Sequence, residues 1–274
     1  MKLERLRRFE FARPGGVLAA YDSGGDGVPV VFQHGLCGDV RQVAEAVPDL
    51  PGLRLVCLEC GGHGASRAAR PFSIAAFADD VAALADVLDL RSVLLGGISM
   101  GAAIANRLAV TRPDLVRALL LVRPAWVSES APENMAPNAE VGDLLRRFAP
   151  EEGLKIFRSS ATHAALLAAA PDNIASLESF CSRRPLDVTA ELLTAISAEG
   201  PGIGEADLAA LEVPTLVLGS AFDVIHPLEH ARRLAALVPG ARFREITPKG
   251  RDKAAYIADI HSAFEDILEE LTHA

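Results

Sequence analysis

The sequence predicts a doubly wound α/β fold: a mostly parallel sheet of about eight strands, wrapped by helices and interrupted by a helical insertion. Three observations predict it. Short Val- and Leu-rich runs recur along the chain and do not alternate with polar residues, as in Val93-Leu94-Leu95 and Leu119-Leu120-Leu121. Such runs suit strands buried on both faces of a parallel sheet. Helical patterns separate them. The rhythm then breaks between Arg123 and about Leu211, where no convincing strand pattern occurs.

The expected strands are Phe9–Ala12, Val17–Tyr21, Val28–Gln33, Arg54–Leu58, Ser92–Gly96, Ala118–Val122, Pro214–Gly219 and Arg242–Ile246. The segment Ile74–Leu88 carries Ile74, Phe77, Val81, Leu84 and Leu88 on one helical stripe. Further helices are expected at Ser99–Val110, Pro227–Val238 and Lys253–Leu271. The interrupted stretch reads as short helices near 141–148, 153–159, 162–169, 172–181 and 189–198. It is expected to form a cap over residues 124–210, with a core domain built from 1–123 and 211–274.

Size and composition narrow the function. A chain of 274 residues, 50% hydrophobic, can bury a large core. The net charge of −9 disfavours nucleic acid and anionic membranes as partners. The start of the chain, Met1–Arg8, is charged and lacks the apolar stretch of a signal peptide, and no apolar run is long enough to span a bilayer, so a cytoplasmic location is expected. Oligomeric state is not legible. Neither G-x-G-x-x-G nor G-x-x-x-x-G-K-[ST] follows a strand, and no organic cofactor is expected. The four cysteines (Cys37, Cys57, Cys60, Cys181) do not suggest a disulfide scaffold. Cys57 and Cys60 match C-x-x-C, but on a strand positions i and i+3 face opposite ways, which argues against redox chemistry.

The chemistry gathers at Gly97-Ile98-Ser99-Met100-Gly101, a G-x-S-x-G turn between a buried strand and a helix. A serine on so tight a turn needs neighbours at −2 and +2 with almost no side chain. The helix start behind it favours developing negative charge. Upstream, Gln33-His34-Gly35-Leu36-Cys37-Gly38 follows a strand, and Gly62-His63-Gly64-Ala65-Ser66 follows the next. With G-x-x-x-D near 219, these motifs in this order resemble the α/β-hydrolase family over nearly the whole chain, most weakly in the cap.

The resemblance implies an enzyme whose nucleophile is Ser99 and whose oxyanion donors are the amides of Leu36 and Met100. It implies Asp223 as the acid, in the loop after the strand that follows the cap; the preceding strand ends in Arg123, not an acid. His34 and His63 are expected to shape loops. The family's histidine follows the last strand, but there the sequence reads Thr247-Pro248-Lys249-Gly250-Arg251. Arg251 cannot serve as a general base near neutral pH. His226, in Asp223-Val224-Ile225-His226-Pro227, is the candidate substitute, with capping of the following helix as its plain alternative. His261 lies about 12 Å into the last helix and is expected to be structural. The pattern His226-x-x-Glu229-His230 resembles a zinc-peptidase motif, but Pro227 is expected to start the helix and leave His226 outside it, with no third ligand evident; no metal is expected.

In the cap, Trp126, Phe148, Phe157, Leu166 and Leu167 are candidates to line a cavity or to form the cap's own core, and Arg183 and Arg184 to meet a substrate carboxylate or only solvent. The expected function is hydrolysis of a small carboxylic ester or related acyl substrate through an acyl-Ser99 intermediate; thioester, lactone and carbon–carbon cleavage stay open. The rival is a hydrolase-like small-molecule-binding protein with little turnover, because Arg251 stands where the histidine is expected.

Overall fold

The computed structural model describes residues 1–67 and 70–273. The strands are β1 (Arg7–Arg13), β2 (Gly16–Asp22), β3 (Val28–Gln33), β4 (Leu53–Leu58), β5 (Val93–Ile98), β6 (Val116–Val122), β7 (Thr215–Gly219) and β8 (Arg242–Glu245). Among the described residues they form one sheet in the order β1-β2-β4-β3-β5-β6-β7-β8. β1 pairs antiparallel with β2, and β2 antiparallel with β4. From β4 to β8 every pairing is parallel.

The continuous apolar runs are explained by burial on both faces. Along β5, Val93 and Leu95 enter one core and Leu94 and Ile98 the other. The first core is closed by α2 (Ile74–Val87), α3 (Met100–Thr111) and α10, which spans Leu228–Leu237; the second by α1 (Val40–Ala46) and α11, which spans Lys253–His273. Phe32 on β3 meets Phe264 on α11 with ring centroids 5.2 Å apart. Cys57, on β4, lies in the second core, and Cys60, two residues past the end of that strand, lies in the first; both are fully buried.

Between β6 and β7 lie α4 (Ala136–Arg147), α5 (Pro150–Arg158), α6 (Ala161–Ala169), α7 (Pro171–Ser179), α8 (Leu186–Ser197) and α9 (Glu205–Ala209). α4 to α8 build a separate apolar cluster around Val141, Leu144, Phe157, Leu166, Leu177 and Leu193, whereas Leu208 of α9 joins the first sheet core. Leu36, Cys37 and Val224 of the loops at the sheet edge pack against that cluster. Phe157 and Leu166 are therefore core residues of these helices, whereas Leu167 is exposed and Trp126 lies in the first sheet core, its indole N–H donating to the Glu199 carbonyl.

Two helices have no counterpart in the sequence reading. α1 has seven residues, too few to display a period, and is started by Asp39, whose carboxylate accepts from the Arg41 amide. α9 is shorter still. α4 begins five residues earlier than expected, at Ala136, because Pro137 sits in its first turn, where a missing N–H costs nothing. No helix among the described residues is long and apolar enough to cross a membrane.

Candidate active site

In a parallel sheet all carboxyl ends share one edge, and residues that follow different strands meet there. Ser99 follows β5, Arg123 follows β6, Asp223 lies in the loop after β7, and Lys249 in the loop after β8.

Ser99 sits at φ 58° and ψ −111°, a strained conformation for a residue with a side chain. Two glycines let the turn close. A Cβ on Gly97 would lie 2.5 Å from the carbonyl carbon of Gly101, and a Cβ on Gly101 would lie 2.3 Å from the Gln33 oxygen. The Ser99 amide donates to the Val122 carbonyl at 3.0 Å, tying the turn to β6.

The Gln33–Gly38 loop comes alongside: an ideal Cβ on Gly35 would stand 3.4 Å from the Ser99 Cβ. The Gly35 amide is taken by the Gln42 side chain at 2.7 Å. Among the described residues, the amides of Leu36 and Met100 have no protein acceptor. Met100 is the first residue of α3, a position without an intrahelical acceptor, and Leu36 lines the cavity in front of Ser99.

His226 faces the serine. Its Nε2 is 2.9 Å from Ser99 Oγ, and its Nδ1 is 3.0 Å from each oxygen of Asp223. His226 precedes α10, whose first turn receives no side-chain cap, so neither Asp223 nor His226 caps that helix. Asp223 instead accepts from the His226 amide at 3.0 Å, closing a tight loop that places carboxylate and imidazole together.

Three further residues complete the cluster, and the sequence reading gave them no role there. Arg123 donates through Nε (2.8 Å) and Nη2 to Asp223 Oδ2, and its Nη2 also lies 3.1 Å from His226 Nδ1. Its guanidinium stacks over Tyr256, 5.6 Å from the ring centroid. Asn173, on α7, donates to Asp223 Oδ1 at 2.9 Å while its own oxygen accepts from the amides of Val224 (2.8 Å) and Ile225 (3.2 Å). Lys249 lines the cavity. The available signal is position: Arg123 and Lys249 each follow the carboxyl end of a parallel strand, at the edge where sites form.

Electrostatics follow the contacts. Burial would raise the Asp223 carboxyl, but the His226 ring, the Arg123 guanidinium and the Asn173 amide outweigh it and hold it well below the usual carboxylate range. Burial foremost, then Arg123, lowers the His226 imidazole against the opposing pull of Asp223, so the ring is neutral near pH 7. Burial, reinforced by Arg123, lowers the Lys249 ammonium.

The remaining candidates lie elsewhere. Arg251 is exposed. His261 bonds to the Glu45 carbonyl at 3.0 Å on α11. His230 bonds to the Ala125 carbonyl, so its ring and that of His226 serve different partners. His34 and His63 are fully buried, their rings 4.7 Å apart, and Nε2 of His34 accepts from the Cys60 amide at 3.1 Å. Nearby, Gly64 holds φ +51°, and a Cβ there would also strike the Glu59 carboxylate, which accepts from the Val40 and Ala65 amides. Arg183 is bonded to the Gly62 carbonyl and Thr189, and Arg184 to the Cys181 and Arg183 carbonyls. Neither arginine lines the cavity, nor do Trp126, Phe148, Phe157, Leu166 and Leu167.

That cavity has a volume of about 220 Å³. It is small for a ligand site, which ordinarily measures about 300–1,000 Å³.

Comparison with known proteins agrees with the architecture. A family model described as alpha/beta hydrolase fold matches residues 28–252. BpoC of Mycobacterium tuberculosis (strain H37Rv), whose name assigns it provisionally as a non-heme bromoperoxidase, is 29% identical over 252 residues, covering 84% of this chain and 89% of its own. The structure of a thermophilic esterase from Thermogutta terrifontis superposes with a TM-score of 0.72 at 25% identity, covering 96% of this chain and 98% of that one. An enol-lactonase from Burkholderia xenovorans LB400 gives 0.71 at 23% identity, covering 96% and 100%. The family match runs from β3 through the loop after β8, across the whole parallel part of the sheet, and this chain belongs to the α/β-hydrolase fold family.

Proposed function

We propose that this protein hydrolyses small carboxylic esters or related acyl compounds through an acyl-Ser99 intermediate, with His226 as the base. Family membership, together with relatives named as hydrolases, supports a hydrolase-type function. The observation that carries the finer reading is the chain of contacts Ser99 Oγ–His226 Nε2 (2.9 Å) and His226 Nδ1–Asp223 (3.0 Å).

In this mechanism the Ser99 hydroxyl gives its proton to His226 Nε2 as its oxygen attacks the substrate carbonyl carbon. The amides of Leu36 and Met100 donate to the resulting oxyanion. Asp223 accepts from Nδ1–H and stabilises the imidazolium. The imidazolium then protonates the departing alkoxide, and the alcohol leaves. Water, deprotonated by the same ring, attacks the acyl-enzyme, and the ring returns that proton to Ser99 Oγ as the acid leaves.

One contact favours the rival reading of a binding protein. Arg123 Nη2 is 3.1 Å from His226 Nδ1. Were Nδ1 the acceptor of that bond, Nε2 would carry the proton and be unable to take another. Charge argues for the productive tautomer: a lone pair on Nδ1 would face two carboxylate oxygens at 3.0 Å, whereas Nδ1–H donates to them.

A fluorophosphonate probe tests the proposal. The expected result is rapid labelling at Ser99, lost in Ser99→Ala, at least about 100-fold slower in His226→Ala and unchanged in His261→Ala. Absence of labelling across pH 6–9, or full reactivity in His226→Ala, would refute it.

A further inference from the structure

We infer that the substrate of this site carries a carboxylate group, bound by Lys249; the inference rests on the acyl-Ser99 reading above. Three observations support it together.

The first is placement. Lys249 lines the same small cavity as Ser99, His226 and the Leu36 loop. It follows β8, the part of the chain where the sequence reading sought a histidine, and it brings a cation there instead of a base.

The second is the lack of a partner. Among the described residues, Lys249 makes no hydrogen bond and has no carboxylate within 4.0 Å. The acids nearest in effect are committed or displaced. Glu45 is paired with Lys253, and Asp172 of α7 lies against the Gly250 backbone. Arg123, the other cation at the site, is satisfied by Asp223. Lys249 is exposed, so its ammonium keeps access to solvent, and an anion entering the cavity meets a cation with no protein carboxylate to displace.

The third is the charge count. Arg123 and Asp223 cancel, which leaves one positive charge from Lys249 facing the cavity. A singly charged carboxylate balances it, whereas a doubly charged phosphate would leave an excess. A cavity of about 220 Å³ suits a substrate of a few carbons beyond the scissile bond.

The test measures binding apart from turnover. Ser99→Ala protein is titrated calorimetrically with two pairs of near-isosteric esters. Ethyl hydrogen succinate and ethyl butyrate differ by a carboxylate on the acyl side; acetoxyacetate and ethyl acetate differ by one on the alcohol side. The expected result is an affinity at least about tenfold higher for an anionic member than for its neutral partner. That preference should vanish in Ser99→Ala/Lys249→Met and return in Ser99→Ala/Lys249→Arg. Equal affinities within each pair, or a preference that survives Lys249→Met, would overturn the inference. Release of alcohol by the wild-type protein separates the two levels. Turnover of the neutral esters without anionic preference leaves the hydrolase reading standing and removes this one. Anionic preference without turnover of any ester does the reverse.

Discussion

Replacing Arg123 with methionine should move the acid limb of Ser99 reactivity to higher pH. In the folded protein the guanidinium lies 3.1 Å from His226 Nδ1 and shares the carboxylate of Asp223 with it. It therefore opposes protonation of the ring directly and also neutralises the anion that would favour it. A unit charge about 4 Å away, at an effective dielectric constant of about 20, contributes roughly 4 kcal/mol, a ceiling of roughly three pKa units. Water entering the space left by the guanidinium reduces this, and a rise of at least about one unit is expected. The assay is the second-order rate of fluorophosphonate labelling from pH 5 to 9. In the wild type, the reactive neutral imidazole persists below the ordinary histidine value, because the folded-state pKa is lowered. In Arg123→Met the loss should begin nearer neutrality. Breaking a buried pair costs about 3–5 kcal/mol, so the variant's melting temperature must be measured alongside, and Arg123→Lys, which keeps the charge, should retain most of the wild-type profile. A folded Arg123→Met protein whose acid limb stays in place or moves to lower pH would refute the reasoning.

Other perturbations probe the scaffold. Asn173→Ala removes a donor to Asp223 and strips the Val224 and Ile225 amides of their acceptor, so a loss of about 2 kcal/mol, or roughly 4–8 °C in Tm, is expected by thermal circular dichroism. An unchanged Tm would mean that the loop after β7 does not depend on α7. Gly101→Ala drives a Cβ into the Gln33 backbone and should cost about 2 kcal/mol or more with slower labelling of Ser99; wild-type values for both would contradict the packing of the turn. His34, His63, His226 and His230 all have folded pKa values lowered chiefly by burial. The unfolded chain binds protons first, at about pH 6.5, so stability is full above that pH and falls as the pH drops toward the lowered folded values. Tm should decrease between about pH 7.5 and 5.5, and a flat or rising Tm would be inconsistent with neutral buried rings.

Local sequence determined much of this protein. Continuous apolar runs can be satisfied only by burial on both faces, and that constraint made β3, β5, β6 and β7 and their alternation with helices legible. Gly97 and Gly101 likewise announced the turn at Ser99, because the backbone contacts that exclude a Cβ there arise within a few residues and from the adjacent strand. Asp223 and His226 are three residues apart, close enough to be weighed together as a pair. What tertiary structure alone decided is how charges from distant segments compensate one another. Arg123 reads in sequence only as the absence of an acid, yet it meets Asp223 100 residues later. Asn173 sits in an unremarkable helix and reaches the same carboxylate across 50 residues. Lys249 lines the cavity, and Arg251 does not, only once β8 has taken its place beside β7. Periodicity and turn chemistry act over a few residues and leave a local imprint, whereas Coulomb interactions and shared hydrogen bonds depend on distance in space, which the order of strands in the sheet sets.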